Sequence, residues 1–352
     1  MAIQTPWGEL TVSDAHVHFF SHRFFATLLA QKLAQHVADV NAANVNAAHK
    51  NAAYENFTPK NAPNNQTNEE LSVDSLAPLL NWQMPPETPA LLADHWASEL
   101  DRHGVQRAVL IASVPGDAES VIVAVRHYPQ RFFGYMMVNP LLPDCISSVL
   151  LALHGGHMHG LCLFPAMHSY ALHDERVAAI LDVAAKTAAV VFVHCGVLSV
   201  GVRRKLGLPS QFDMRFSNPI ELHSIALRYP QLRFVVPHFG AGYFREALML
   251  CDMCPNVYLD TSSSNSWMRF EAAGLDLANV FRRALAVTGA RRLLFGTDSS
   301  FFPRGWNGEV FDAQVEALRA IGATEETARL IFNGNLQELF GPKNNSWPKN
   351  NS

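Results

Sequence analysis

Eight apolar runs, most of them separated by amphipathic helical patterns, constrain this chain more than any other feature of its sequence. The first is "SDAHVHFF" at residues 13–20, entered from "GELTV". The others are "VQRAVLIAS" (105–113), "RFFGYMMVN" (131–139), "HGLCLFP" (159–165), "AAVVFVHCG" (188–196), "LRFVVPHFG" (232–240), "NVYLDTSS" (256–263) and "RRLLFGTDSS" (291–300). Between them lie patterns such as "TPALLADHWASELDRHG" and "DERVAAILDVAAKTA", several opened by Asp, Asn or Pro and closed by Gly or Pro. Strands that are apolar almost throughout must be covered on both faces, which demands a parallel sheet with helices outside it. Eight such units predict a closed (β/α)8 TIM barrel with an insertion after the first strand. An open doubly wound sheet is the alternative, but no GxGxxG follows the first strand.

The 352 residues, 49% apolar, suffice for one large core. We expect a single catalytic domain over 1–341, an insertion at 21–86 and a polar tail at 342–352. Within the insertion, 31–70 is rich in Ala and Asn and reads as a surface excursion, part helical and part disordered. A formal charge of −4 with scattered Lys and Arg excludes a nucleic-acid footprint. No signal peptide or membrane span is legible, and five cysteines, an odd number, suit reduced thiols, so a cytoplasmic location is expected. "CDMC" at 251–254 has no second Cys pair and reads as structural. The expected partner is a small molecule, with a homodimer left open.

Barrels carry chemistry at the C-terminal ends of their strands. His16 and His18 end the first strand, His194 the fifth, His238 the sixth and Asp298 the eighth. Strict alternation would put Asp14, His16 and His18 on one face. Five residues of metal-binding type on one rim are hard to attribute to packing, because each would need its own buried partner. Imidazoles with one carboxylate suit a catalytic divalent ion, Zn²⁺ first and Mn²⁺ second, with a position open for water.

In "DAHVHFF", "VFVHCG", "VVPHFG" and "LLFGTDSS", in that order, the chain resembles the metal-dependent amidohydrolase superfamily, in the branch of aminocarboxymuconate semialdehyde decarboxylase and related hydrolases. The resemblance implies that His16, His18, His194 and Asp298 hold the metal and that His238 stands beside the activated water. Many members bridge two metals through a fourth-strand lysine. Here no lysine lies between Lys60 and Lys186, and Cys162 occupies the corresponding strand, so one ion is expected.

A second HxH, His157 and His159, precedes its strand and belongs to the non-catalytic face. His168 follows the same strand at the correct end, while Asp260 ends the seventh and could orient a ligand. Arg203, Arg204, Arg215 and Arg304 lie on strand-end loops where a substrate carboxylate could be clamped, and Trp267, Phe301, Phe302 and Trp306 could line an apolar mouth. With Asp298 and His238 as catalytic groups, the favoured chemistry is hydrolysis of a small carboxylated or cyclic substrate (amide, ester, lactone or C–C/enol-type bond) by activated water. Non-oxidative decarboxylation of an aromatic or muconate-type acid is the alternative. Both histidines of "HVH" incline toward hydrolysis, since several aromatic-acid decarboxylases of the branch carry glutamate at the first position.

Overall fold

The computed structural model describes residues 1–51, 72–197, 200–262, 265–271 and 273–341, with the backbone alone for 43–51. The tail at 342–352 and most of the second half of the insertion lie outside the described residues. An antiparallel hairpin, Ile3–Thr5 with Gly8–Leu10, leads into eight parallel strands. These are β1 (Val12–Phe19), β2 (Val105–Ala112), β3 (Phe132–Val138), β4 (Gly160–Leu163), β5 (Val190–Val193), β6 (Phe234–Val236), β7 (Val257–Asp260) and β8 (Leu293–Leu294). Each pairs with its sequence neighbour, and helices fill the connections, giving the expected (β/α)8 TIM barrel.

Alternation along the strands explains the two-sided burial. Val109, Ile111, Tyr135, Met137, Cys162, Val190, Phe192, Val235 and Leu294 fill the barrel interior. Ala108, Leu110, Met136, Leu161, Val191, Phe234, Leu259 and Leu293 face the helix layer. Leu336, Leu339 and Phe340 plug the N-terminal mouth, where Phe340 stacks on Phe133 with ring centroids 4.2 Å apart. The insertion begins as one long helix, His22–Asn51, whose first turns pack Phe24, Phe25, Leu28 and Leu29 against Val202, Leu206 and Leu208.

The β1–β8 junction is not a regular ladder. Ala15 N–H donates to Phe295 O (2.7 Å), Asp298 N–H to His16 O (3.0 Å) and His18 N–H to Ser299 O (2.7 Å). A register irregularity between Asp14 and Val17 breaks the alternation of β1. This corrects the expected placement of Asp14. The bulge leaves Ala15 in the interior cluster, and Asp14 straps the junction instead of joining the histidines. Its Oδ1 accepts from the backbone N–H of His16 (2.9 Å) and Thr297 (3.1 Å), while Oδ2 accepts from Thr297 Oγ1 and from Trp306 Nε1 (2.8 Å). Trp306, expected at the mouth, is thereby held buried behind the strands against Phe295 and Phe311.

Hydrogen bonds to a buried carboxylate are each worth about 1.5–3 kcal/mol, and Asn cannot accept at both ends of its amide. Asp14→Asn should therefore lower unfolding free energy by about 2–4 kcal/mol in urea denaturation; a loss below about 0.5 kcal/mol would remove Asp14 as the strap.

His159 lies at the plugged mouth, its ring edge-on to Phe133 and its Nδ1 accepting from Gly134 N–H (3.1 Å). Burial pushes its pKa down to about 4. Between that value and the ordinary 6.5 the unfolded chain binds the extra proton, so this contribution to stability is complete above pH 6.5 and is lost as pH falls toward 4. His159→Gln should flatten the stability profile in that window by up to one proton's slope, ~1.4 kcal/mol per pH unit. An unchanged slope in pH-dependent urea melts would mean that His159 titrates normally.

Candidate metal centre

At the C-terminal rim, one ligand atom each from His16, His18 and Asp298 lie within 4.8 Å of one another. His16 Nε2 is 3.4 Å from His18 Nε2, and Asp298 Oδ1 is 3.7 Å and 3.3 Å from the two. Neighbouring groups fix the tautomers. His16 Nδ1 donates to Asp260 Oδ2 (2.7 Å), which turns Nε2 toward the centre; burial works against a charge on the ring, but Asp260, Asp298 and Asp14 outweigh it and raise its pKa. Ser113 Oγ donates to Ile111 O (2.9 Å), so its contact with His18 Nδ1 (2.7 Å) uses the histidine's proton and Nε2 is the nitrogen that faces the centre. His238 Nδ1 faces Ser262 O at 3.1 Å, an acceptor only, so its Nε2 is unprotonated.

His194 stands beside the trio, its ring centroid 5.4 Å from His238 and stacked on Phe164 at 5.0 Å. Both its nitrogens are buried and, among the described residues, neither has a hydrogen-bond partner. Such orphaned atoms cost about 1–3 kcal/mol each unless a ligand satisfies them. Burial, reinforced by the His238 and His16 charges, pushes its pKa well down, so the ring is neutral. Burial opposes ionisation of Asp298, but with protons on the facing rings the His18 hydrogen bond and the charges of His16 and His238 outweigh it and hold the carboxyl well below its usual range; a bound cation would displace those protons and take over that role. Imidazole nitrogens gathered around an ionised carboxylate fit a divalent cation. Cys162 is buried in the interior with its thiol pushed well above the usual range, and no lysine stands on β4.

Backbone strain aims two of these side chains. His238 (φ 55°) and Asp298 (φ 58°) are both left-handed, a conformation costing non-glycine residues about 1–3 kcal/mol. Gly196 (φ 86°) lets the β5 and β6 ends meet, since a Cβ there would lie 2.2 Å from Gly240 O.

His18, His194, His238 and Asp298 open into a cavity of about 380 Å³ walled by Phe20, Trp82, Phe164, Trp267, Phe270 and Phe301. Arg304 reaches the centre from behind, donating to Asp298 O and Ser300 Oγ (both 3.1 Å) over the Phe301 ring. His168 and Arg203 line an adjoining cavity instead. Arg215 is 82% exposed and paired with its neighbour Asp213 (2.6 Å), outside both cavities, which removes it from the expected substrate clamp. Phe302 turns toward Trp96, at 4.9 Å. Ser113 and Ser262 escaped the sequence reading, although both follow strand ends by the same logic that selects the histidines.

Residues 13–341 match the family model Amidohydro_2, described as amidohydrolase. An 87-residue stretch, 25% of this chain, is 37% identical to protein fluG of Emericella nidulans, of which it covers 10%. Among solved structures, 5-carboxyvanillate decarboxylase LigW from Sphingomonas paucimobilis superposes with TM-score 0.57 at 14% identity, over 94% of this chain and 99% of its own. A protein assigned as a 2-pyrone-4,6-dicarboxylic acid hydrolase from Acinetobacter baumannii gives 0.52 at 16% identity, over 95% and 100%. A 5-carboxyvanillate decarboxylase from Novosphingobium aromaticivorans, complexed with manganese, gives 0.57 at 16% identity, over 94% and 96%. These likenesses share the barrel, and the family match spans nearly the whole of it: the chain belongs to the amidohydrolase family defined by that model.

Proposed function

We propose that the chain is a mononuclear metal-dependent hydrolase acting on a small carboxylated or cyclic substrate. Residues 1–341 serve as one catalytic domain, with 21–86 as its insertion. The observation that carries the reading is the convergence of the Nε2 atoms of His16 and His18 on an ionised carboxylate beside His194, whose buried nitrogens lack any partner among the described residues. His16, His18, His194 and Asp298 would hold the ion. Zn²⁺ suits these donors; the manganese of the Novosphingobium decarboxylase supports Mn²⁺ as the other candidate. A divalent ion held there supplies Lewis acidity, lowering the pKa of water and polarising a substrate carbonyl.

The chain's own groups do the rest. The Asp298 carboxylate takes a proton from the attacking water and hands it to the leaving group as the scissile bond breaks. His238 Nε2, bare because Nδ1 is committed to Ser262 O, accepts a hydrogen bond from that water and orients it. Asp260 fixes the His16 ring and raises its basicity. The aromatic wall keeps bulk water away from the proton transfers.

A second reading is non-oxidative decarboxylation, in which the bond to the carboxylate carbon breaks, CO₂ departs and a proton is delivered to the carbon left behind. The apolar cavity favours it, because desolvating a carboxylate raises its energy relative to CO₂. A panel of carboxylated aromatics and lactones, offered to the metal-loaded protein, separates the two by product: ring-opened or cleaved acid for hydrolysis, CO₂ for decarboxylation. Release of CO₂ alone would overturn the hydrolase assignment.

Elemental analysis should find about one ion per chain, and His16→Ala or Asp298→Ala should remove most of it while leaving the circular dichroism spectrum intact. Two ions per chain would defeat the mononuclear site. His238→Asn should keep the metal and lower kcat by about 10²–10⁴, the range for a lost acid/base group. Metal lost together with activity would instead make His238 a ligand.

A further inference from the structure

The aromatic cavity at the metal centre is only half of the space at this rim. A second cavity of about 500 Å³ adjoins it, and Phe24, Ser113, Met137, Met167, Val200 and Val202 border both. The first turns of the helix His22–Asn51 and the segment 200–212 form its outer wall, and Met167 and His168 lie beside them. Ser113, whose hydroxyl touches His18, stands at the boundary, so the passage starts next to the metal centre.

The chemistry of this second chamber is specific. Its surface is mainly apolar, yet Arg203 and Arg204 line it and no Asp or Glu does so among the described residues. Arg203 has no ion-pair partner among the described residues. Gln31 Oε1 receives Nη1 (2.5 Å), and Pro209 O receives Nε (3.2 Å) and Nη2 (3.1 Å). Those three bonds fix the guanidinium plane, and among the described residues a second hydrogen on each of Nη1 and Nη2 has no acceptor, leaving donors for a carboxylate. His168 Nδ1, buried in the same chamber, has no partner either.

We infer that the substrate is elongate and two-ended, with its reacting head in the metal chamber and an apolar tail that runs past Ser113 into the second chamber and ends in a carboxylate on Arg203. This rests on the proposed catalytic reading of the metal chamber and names its substrate class. Arg203 is half-buried, and because no carboxylate side chain lines its chamber among the described residues, an anionic tail end supplies the countercharge that a neutral tail does not. His168 supplies a further polar contact along the tail.

The test is calorimetric titration of the Mn²⁺-loaded protein with linear α,ω-dicarboxylates from succinate to dodecanedioate, each against the monocarboxylate of equal length. Affinity should rise with length and then favour the dicarboxylate by at least about tenfold once its far end reaches Arg203. Arg203→Met should abolish that preference while leaving metal content and acetate affinity unchanged, and Arg203→Lys should restore part of it. Since Arg203 also ties Gln31 to Pro209, thermal melts establish that each variant is folded; should Arg203→Met unfold, His168→Phe is read in its place, with weakened binding of the long dicarboxylates alone expected. No length dependence, or an equal loss for both ligand series, overturns the inference. Failure of the catalytic reading looks different: metal fails to bind, while the Arg203-dependent preference for dicarboxylates persists in the metal-free protein.

Discussion

Closure of the barrel between its first and last strands is the constraint on which the site depends. The hydrogen bond from Asp298 N–H to His16 O joins two members of the candidate centre through the backbone, and His18 N–H to Ser299 O repeats the arrangement one step further along. The bonds that close the sheet are thus the bonds that hold His16, His18 and Asp298 in register. Asp14 tightens the same junction from the outer side, gathering donors from His16, Thr297 and Trp306 onto one buried carboxylate. Fold and site share one set of interactions, so neither can loosen without the other.

Much of this was legible in the sequence because it follows from periodicity. Seven of the eight strands fall inside their apolar runs and the first begins one residue before its own, at Val12, while the rule that chemistry gathers at strand ends brought His16, His18, His194, His238 and Asp298 to one rim. What escaped depends on local backbone geometry that composition does not encode. The bulge in β1 rotates Asp14 away from the histidines, and this in turn draws Trp306 inward. Arg215 was misplaced for a different reason: a neighbouring Asp213 satisfies it locally, and a charge so satisfied does not need the cavity. The left-handed backbone at His238 and Asp298 escaped as well: Asp and His adopt positive φ more readily than most residues, but that preference does not single out these two among the many Asp and His of the chain.

The site is also where the molecule departs furthest from its own folding preferences. Strained backbone at His238 and Asp298, and buried nitrogens of His194 without partners, are each unfavourable in isolation. They persist because the surrounding strands leave no alternative: the β5 and β6 ends are locked by the close approach at Gly196, and Phe164 and Phe192 press on His194 and His16. A rim organised in this way presents its donors in place before any ligand arrives, and little further ordering is needed on binding.

The junction of β1 with β8 also bears on how the molecule comes into being. Asp14 and Thr297, which it joins, are 283 positions apart, so during synthesis the first strand emerges long before its partner exists. Until then β1 has an unpaired edge, and the interior lacks the plug of Leu336, Leu339 and Phe340. A nascent chain can assemble successive strand pairs, yet it holds an open sheet with a wet, incomplete core, the kind of intermediate that chaperones protect from self-association. The chemistry of the rim therefore arrives last and all at once, when the final strand slots beside the first and a curved ribbon becomes a ring.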